Sequence, residues 1–519
     1  MRNLLYCLLS RYKKVVTLTS FPYFFLFLVL TACSTPVHKP PESLRISFNM
    51  QPNTLDPGRA GDFVSSTLIC MIYEGLTRCV GGGSVEPALA ERVEISKDLT
   101  VYLFHLRKAY WSDGKPITAY DFERSWKEIL ETPVVCTYLF YPIKNAEKCA
   151  KGEVSIDEVG IHALNDRTLR VELERPTPYF YSLTAFPSFL PGSPTAYSGP
   201  FRIEKMVRNS EIVLAKNQTY WNKSGISLDE IHISIVPDEM TALQMYERGE
   251  LDWLGGALSP LPPDPLDHWK EQIQFIPSAG TTLITFNTEN APFNNLHLRK
   301  AFSYAIDREE IVAKVAVAFQ IPATQMLPPS LGSHPPLFPL TNAEQARLHF
   351  QQALEELEID ASHLNSLILY FKPNQIDKRL AQTLQRQWKE VLGVTVQLTQ
   401  LDLKSHGQRL QRRDYQIALT SWIAQFDDPI SILERFKERS NLKNYPGWED
   451  AEYVHLLNES ARSDRRRELL EKAEVLLADQ MPLTPIYHWN SPALCNPRIT
   501  NVGTSPCGGI LFERFRLER

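Results

Sequence analysis

The chain has 519 residues, 43% of them hydrophobic and 22% charged, with a formal net charge of -5 and a pI near 6.2. That is ordinary globular composition, and without a basic excess nothing favours a phosphate backbone as partner, so nucleic acid is excluded as an expected ligand. At roughly 100–200 residues per domain the length predicts about three structural units.

The first 32 residues differ from the rest. Arg2, Arg11, Lys13 and Lys14 precede the apolar run FPYFFLFLVL, Phe21 to Leu30, and no acid occurs among them. A positive flank and an apolar run of about ten residues read as a secretory signal, too short to span a bilayer comfortably. The following LTAC, Leu30 to Cys33, resembles a bacterial lipobox, which implies lipidation of Cys33 and anchoring through acyl chains. The expected location is the cell envelope, on a membrane and facing the periplasm or exterior. STPVHKPPES is then a Pro-rich polar tether. Of the remaining six cysteines none forms a C-x-x-C pair, so zinc-ribbon and thioredoxin chemistry lack support. Export permits disulfides, with Cys136 to Cys149 and Cys495 to Cys507 as the local candidates.

Folded structure is expected from SLRISFN onward. Alternation predicts strands in DLTVYLFHLRK, 98–108, and TLRVELE, 168–174, and GGGS at 81–84 reads as a hairpin turn. TAYDFERSWKEIL, 118–130, reads as a helix capped by Thr118 with Phe122, Trp126, Ile129 and Leu130 inward. EIVLAKN and EIHISIVP are further strands. A helix opens near His297 with Leu298, Phe302, Ala305 and Ile306 on one face and Arg299, Asp307, Arg308 and Glu309 on the polar one. Strand LILYF, 367–371, helix 377–392 closed by Gly393, strand VTVQLTQ, helix LKSHGQRLQRR and strand YQIALTSWI follow, then a helix over 464–477 and LTPIYHW. This alternation implies βαβ units and a largely parallel sheet. Ligands of such sheets collect beyond the carboxyl ends of strands, which singles out TSWIAQFDDP, Thr420 to Pro429.

No enzymatic constellation is present: G-x-S-x-G, H-E-x-x-H, the P-loop and G-x-G-x-x-G are all missing. The pair Asp427 and Asp428 suits a turn at a helix start better than acid/base work. No catalytic residue, metal or cofactor is expected. The aromatics of TYLFYP, 137–142, and TPYFYS, 177–182, are candidates to line a pocket or to fill the core.

Several stretches, in one order, resemble the family 5 solute-binding proteins of ABC importers, and among them the oligopeptide-binding lipoproteins. They are NTLDP at 53–57, IYEGLTR at 72–78, the long run from Pro87 to Phe122, AKNQTYWN at 215–222, GELDW at 249–253, FNTENAPFNNLHLRKAFSYAIDREEIV at 286–312 and AEVLLADQMPLTPIY at 473–487. The resemblance implies an α/β fold, the bilobal periplasmic-binding-protein fold with three subdomains (type II, cluster C-like). Lobe I would combine 42–73, 198–280 and 489–519, a second subdomain would take 74–197, and lobe III 281–488, behind a signal peptide of 1–32 and a lipidated tether of 33–41. It further implies a monomer that captures an oligopeptide between its lobes and passes it to the importer's membrane subunits. Ligand contacts are expected from Ser421, Trp422, Ile423, Ala424 and Gln425, with the Ser421 and Ile423 backbones pairing the ligand chain, and from Phe63, Tyr138 and Tyr141. Alternatives are a modified or cell-wall peptide or other solute without a free N-terminus, and a surface receptor or adhesin that retains the fold.

Two departures stand out. The family's peptide binders carry W-x-A-D-Y where this chain has WIAQF, Trp422 to Phe426. The acid of that motif pairs with a peptide ammonium, and Gln425 brings no charge. Asp427, Asp428 and Asp62 are candidate replacements. The other departure is Ser198 in YSGPF, where the family has asparagine, within a shortened stretch that reads as a trimmed surface loop.

Overall fold

In a computed structural model of the chain, the described residues are 42–518, apart from 82–83, 135, 263–268, 270–271, 316–318, 333–334 and 506–508. The signal segment, the tether and Cys33 lie outside them. Among the described residues no helix is long and apolar enough to cross a membrane.

An eleven-stranded sheet runs through the molecule in the order Gln397–Gln400, Ile368–Phe371, Ile417–Ile423, Ile273–Phe286, Leu483–Cys495, Trp253–Gly255, Ser43–Phe48, Glu230–Ile235, Glu211–Lys216 and Phe201–Val207, with Ile321–Pro322 added on Leu483–Cys495. The expected βαβ units form where helices separate strands. Ile368–Phe371 pairs parallel with both Gln397–Gln400 and Ile417–Ile423. The centre of the sheet departs from the largely parallel expectation. Ile273–Phe286 pairs antiparallel with Ile417–Ile423 and with Leu483–Cys495, and the pairs built on Glu211–Lys216 are antiparallel too. Two strands of 14 and 13 residues each serve both halves of the sheet, and their partners arrive from distant parts of the chain. The ladder between them shifts register between Pro277 and Thr281.

Local chemistry explains the individual elements. In Ala119–Glu131 the Asp121 carboxylate accepts the Thr118 backbone N–H at 2.8 Å and its hydroxyl at 3.0 Å, which closes the first turn. Phe122 and Trp126 are fully buried, and the Trp126 indole donates to the Phe189 carbonyl. This helix covers a four-stranded antiparallel sheet, ordered Ala90–Ile95, Val101–Leu106, Thr168–Glu172, Ile161–Asn165. Gln375–Leu392 is capped by Asn374 and ended by Gly393 at φ 74, and Leu380, Leu384, Trp388 and Leu392 are all buried. Thr77–Cys79 and Val85–Pro87 pair as the hairpin expected around 81–84.

Three expectations need correction. Arg299 and Arg308 are buried rather than on a polar face: Arg299 donates to the Phe293 and Gln480 carbonyls, and Arg308 to those of Pro485 and Leu340. Their planar donor forks satisfy carbonyls that water cannot reach. Cys136 and Cys149 are free thiols rather than a disulfide, since the Cys136 thiol turns inward and donates to the Ala60 carbonyl. Cys495 is also a free thiol, and Cys507 lies outside the described residues. Ser198 is 1% exposed and accepts the Glu74 N–H at 3.0 Å, so this residue is internal, while Pro194 and Thr195 of the same stretch are exposed.

Candidate functional site

The strand Ile417–Ile423 ends in the segment singled out from the sequence. The Ala424 N–H donates to the Ala279 carbonyl at 2.8 Å, one step beyond the pair Gly280–Ile423. In an antiparallel ladder, directly bonded pairs alternate. Thr420 and Trp422 therefore exchange bonds with Ile273–Phe286, and Leu419, Ser421 and Ile423 turn their backbone groups to the other edge. On that edge the neighbouring strand pairs only as far as Ala418. The buried His406 ring lies against the Tyr370 and Leu419 backbones at this point, burial holding its imidazole down at about 4. Beyond it, Ser421 meets no strand on this edge among the described residues.

The turn that follows is held from several sides. Trp422 is buried, stacked on Phe436 with centroids 4.7 Å apart, and the Arg435 guanidinium lies 4.9 Å from its ring. Arg435 also donates to the Ile423 carbonyl at 2.8 Å. The Gln425 N–H donates to the Ser431 hydroxyl at 2.9 Å, and Phe426 stacks on Tyr179 at 4.9 Å. Asp428 accepts the Ile430 N–H and receives two bonds from Arg466, at 2.7 and 2.9 Å. Asp428 is thus used in fixing the loop.

A cavity of about 310 Å³ opens beside this turn. Ile423 to Asp427 form one wall, and the helix Phe63–Ile72 with Tyr73 to Cys79 forms another. Pro187, Leu190 and the C-terminal Ser505 and Gly509 to Glu513 segment complete it. Its lining is largely apolar, with a few acids, as suits a site that gains affinity by excluding water. Burial raises the Glu74 carboxyl, although it accepts bonds from Tyr220 and Trp221 and has Arg78 near. Burial likewise brings Glu513 up to about 7, and burial with the neighbouring Asp428 brings Asp427 up to about 6. Among the described residues Asp427 has no ion-pair partner. Asp62 is committed elsewhere: it caps Phe63–Ile72 through Ser65 and accepts from Asn53. Among the described residues no cluster of His, Cys, Asp and Glu could hold a metal ion.

The structure brings Phe63, Ile423, Ala424 and Gln425 together on the cavity. Trp422 lies behind this wall, Ser421 accepts from Lys372 at 3.0 Å on the free edge, and Tyr138 stands beside the Gln425 amide. Tyr141 lies away from the cavity, near Glu147 and Lys151. Reasoning from sequence passed over Glu74, Cys70, Cys79, Glu513, Arg435 and Lys443. Only Glu74 carried a signal, as an acid inside the apolar IYEGLTR stretch.

The sequence profile of the bacterial extracellular solute-binding proteins, family 5 Middle, matches residues 84–444. The oligopeptide-binding protein OppA of Bacillus subtilis is 34% identical over 500 residues, covering 91% of this chain and 92% of that protein. The periplasmic murein peptide-binding protein MppA of Escherichia coli is 24% identical over 472 residues, covering 86% and 88%. Among solved structures, OppA of Listeria monocytogenes bound to peptide superposes with a TM-score of 0.72 at 26% identity, covering 93% and 100% of the two chains. The unliganded open form of the murein tripeptide-binding protein MppA gives a TM-score of 0.80 at 23% identity over 92% and 98%, a likeness of fold alone. These neighbours share a bilobal α/β architecture with this chain, and they are binding proteins rather than enzymes. With a profile match over most of its length and a relative at 34% identity, the chain belongs to the family 5 bacterial extracellular solute-binding proteins.

Proposed function

We propose that this protein captures oligopeptides, or closely peptide-like solutes, outside the cytoplasm and delivers them to an ABC importer while anchored by a lipid on Cys33. The observation that carries the capture is the edge at Ser421 and Ile423, which no strand among the described residues covers and where Arg435 engages the Ile423 carbonyl, beside a largely apolar cavity. An extended ligand chain added to that edge exchanges main-chain hydrogen bonds regardless of its sequence, and the cavity receives a side chain or terminus. The relatives named as oligopeptide-binding proteins support the same ligand class. In this reading the lobes meet where the two long strands shift register near Pro277 to Thr281, and Phe63, Tyr138 and Ser421 to Gln425 contact the ligand. Tyr141 is placed outside that set. The N-terminal lipobox-like LTAC supports the anchor.

The test is native mass spectrometry of the mature protein purified from an exporting host. Mixed short peptides released on denaturation are the expected result. Recovery of no peptide, together with no thermal shift from a library of tri- to pentapeptides, would refute peptide capture. Labelling with radioactive palmitate, lost in a Cys33→Ser variant, tests the anchor separately.

A further inference from the structure

The groups beside Gln425 have the sign opposite to what an ammonium requires. Lys443 Nζ lies 4.0 Å from the centre of the Tyr138 ring, and Arg435 is close enough to depress the Lys443 ammonium. Arg435 spends its donors on the Ile423 and Ser431 carbonyls. The other groups facing this pair are the Cys136 thiol, which donates to Ala60, and the Tyr138 and Tyr445 phenols. Among the described residues neither cation meets a carboxylate. Two like charges in a half-buried place without a counter-ion repel each other and lose hydration, and an anion relieves both costs. Burial and Arg435 together lower Lys443 to about 8.

A separate observation points to the same place. Among the described residues the Tyr138 hydroxyl is fully buried with the Gln425 amide as its polar neighbour, and the two miss good hydrogen-bonding geometry. A buried hydroxyl without a partner is costly. Gln425 and Cys136 both line the cavity, so the cluster borders the space that a ligand would enter. Tyr138 and Cys136 come from the segment before the small sheet, whereas Gln425, Arg435 and Lys443 follow the strand Ile417–Ile423, so a ligand group here would bridge the two.

We propose that this cluster is a carboxylate subsite, with Lys443 as the ion-pairing group and the Tyr138 hydroxyl and Gln425 amide as hydrogen-bond donors. The inference rests on peptide capture and names its preferred class: peptides that present a carboxylate, rather than a free ammonium, at the Gln425 end. That carboxylate comes either from an acidic group near the N-terminus or from the C-terminus of a chain bound in the reverse direction.

The experiment is titration calorimetry of ligand-free mature protein with N-acetyl-tri-alanine, N-succinyl-tri-alanine, N-acetyl-tri-alanine amide and free tri-alanine. Succinyl and acetyl peptides differ by one carboxylate at the N-terminal end, and the acetyl acid and amide by one at the C-terminal end. The subsite predicts a preference of about tenfold or more for the carboxylate in one of these comparisons, which identifies its source. The preference disappears in Lys443→Met and survives in Lys443→Arg, which guards against a folding defect in the first variant. Equal carboxylate preference in wild type and Lys443→Met overturns the subsite while leaving peptide capture intact. Tighter binding of free tri-alanine than of its acetyl form, lost in Asp427→Asn, also overturns it and assigns the end to an ammonium. Failure of all four peptides to bind wild type overturns the subsite, and peptide capture falls with it only if no peptide co-purifies and a tri- to pentapeptide library gives no thermal shift.

Discussion

Gly280 stands at the register shift of the two long strands, one residue from the bond that sets the ladder of the site strand, so an added methyl there tests how the fold supports the site. A Cβ at this position would lie 2.4, 2.6 and 3.1 Å from ring atoms of Trp489. The indole is not free to retreat, because its N–H donates to the Thr282 hydroxyl at 2.9 Å. Relief therefore requires either movement of the backbone, which pairs with Ile423, or loss of that bond. Overpacking of this kind costs about 1–3 kcal/mol, and loss of a buried hydrogen bond about 1 kcal/mol. Gly280→Ala is thus expected to lose about 1–3 kcal/mol in urea denaturation followed by far-ultraviolet circular dichroism. It should also weaken peptide binding by displacing Ile423 to Gln425. Trp489→Leu removes the clashing ring, so the double variant Gly280→Ala/Trp489→Leu should recover at least about 1 kcal/mol relative to the sum of the single changes. Additivity of the two changes within about 0.5 kcal/mol would show that the indole is not the obstacle, and would refute the reasoning.

Other consequences are open to direct measurement. His488 is fully buried beside Thr281 and is held neutral, its imidazole brought down to about 3 by burial. The unfolded chain binds this proton first, so the stability it contributes is complete above about pH 6.5 and is lost as the pH falls toward 3, by at most about 1.4 kcal/mol per pH unit. His488→Gln should flatten that part of the pH–stability curve. Gln425→Asp puts a carboxylate next to Lys443 and Arg435 and should cut the affinity for a ligand carboxylate at that end about tenfold, read by calorimetry. Asp428→Asn breaks the two-point bond to Arg466 and should lower the melting temperature while making the 425–430 turn cleavable in limited proteolysis. Cys70 is exposed on the cavity whereas Cys136 is buried. Iodoacetamide should therefore modify Cys70 in preference to Cys136, and bound peptide should protect it, as peptide mapping would show.

What was legible in the sequence was what local chemistry decides. The Thr118 to Asp121 cap, the inward Leu380, Leu384, Trp388 and Leu392 stripe and the Gly393 stop each involve residues within a turn or two of one another, and each forms as the pattern predicts. The direction of the central strands was not legible, because Ile273–Phe286 and Leu483–Cys495 find partners about 140 and 200 residues away in the chain, as the pairs Thr282–Ser421 and Thr282–Tyr487 show. Arg299 and Arg308 obey helical periodicity and are still buried, since periodicity weighs the cost of burying a charge but not the carbonyls waiting to receive it. The same reasoning separates Gln425 from its surroundings. Its neutrality could be read from five residues of WIAQF. The reason that neutrality is tolerable could not, because it depends on Lys443 and on Tyr138, a residue about 300 positions earlier that reaches the same spot through another part of the fold. An acid at 425 would have answered Lys443 and Arg435 internally. A glutamine leaves them for the ligand.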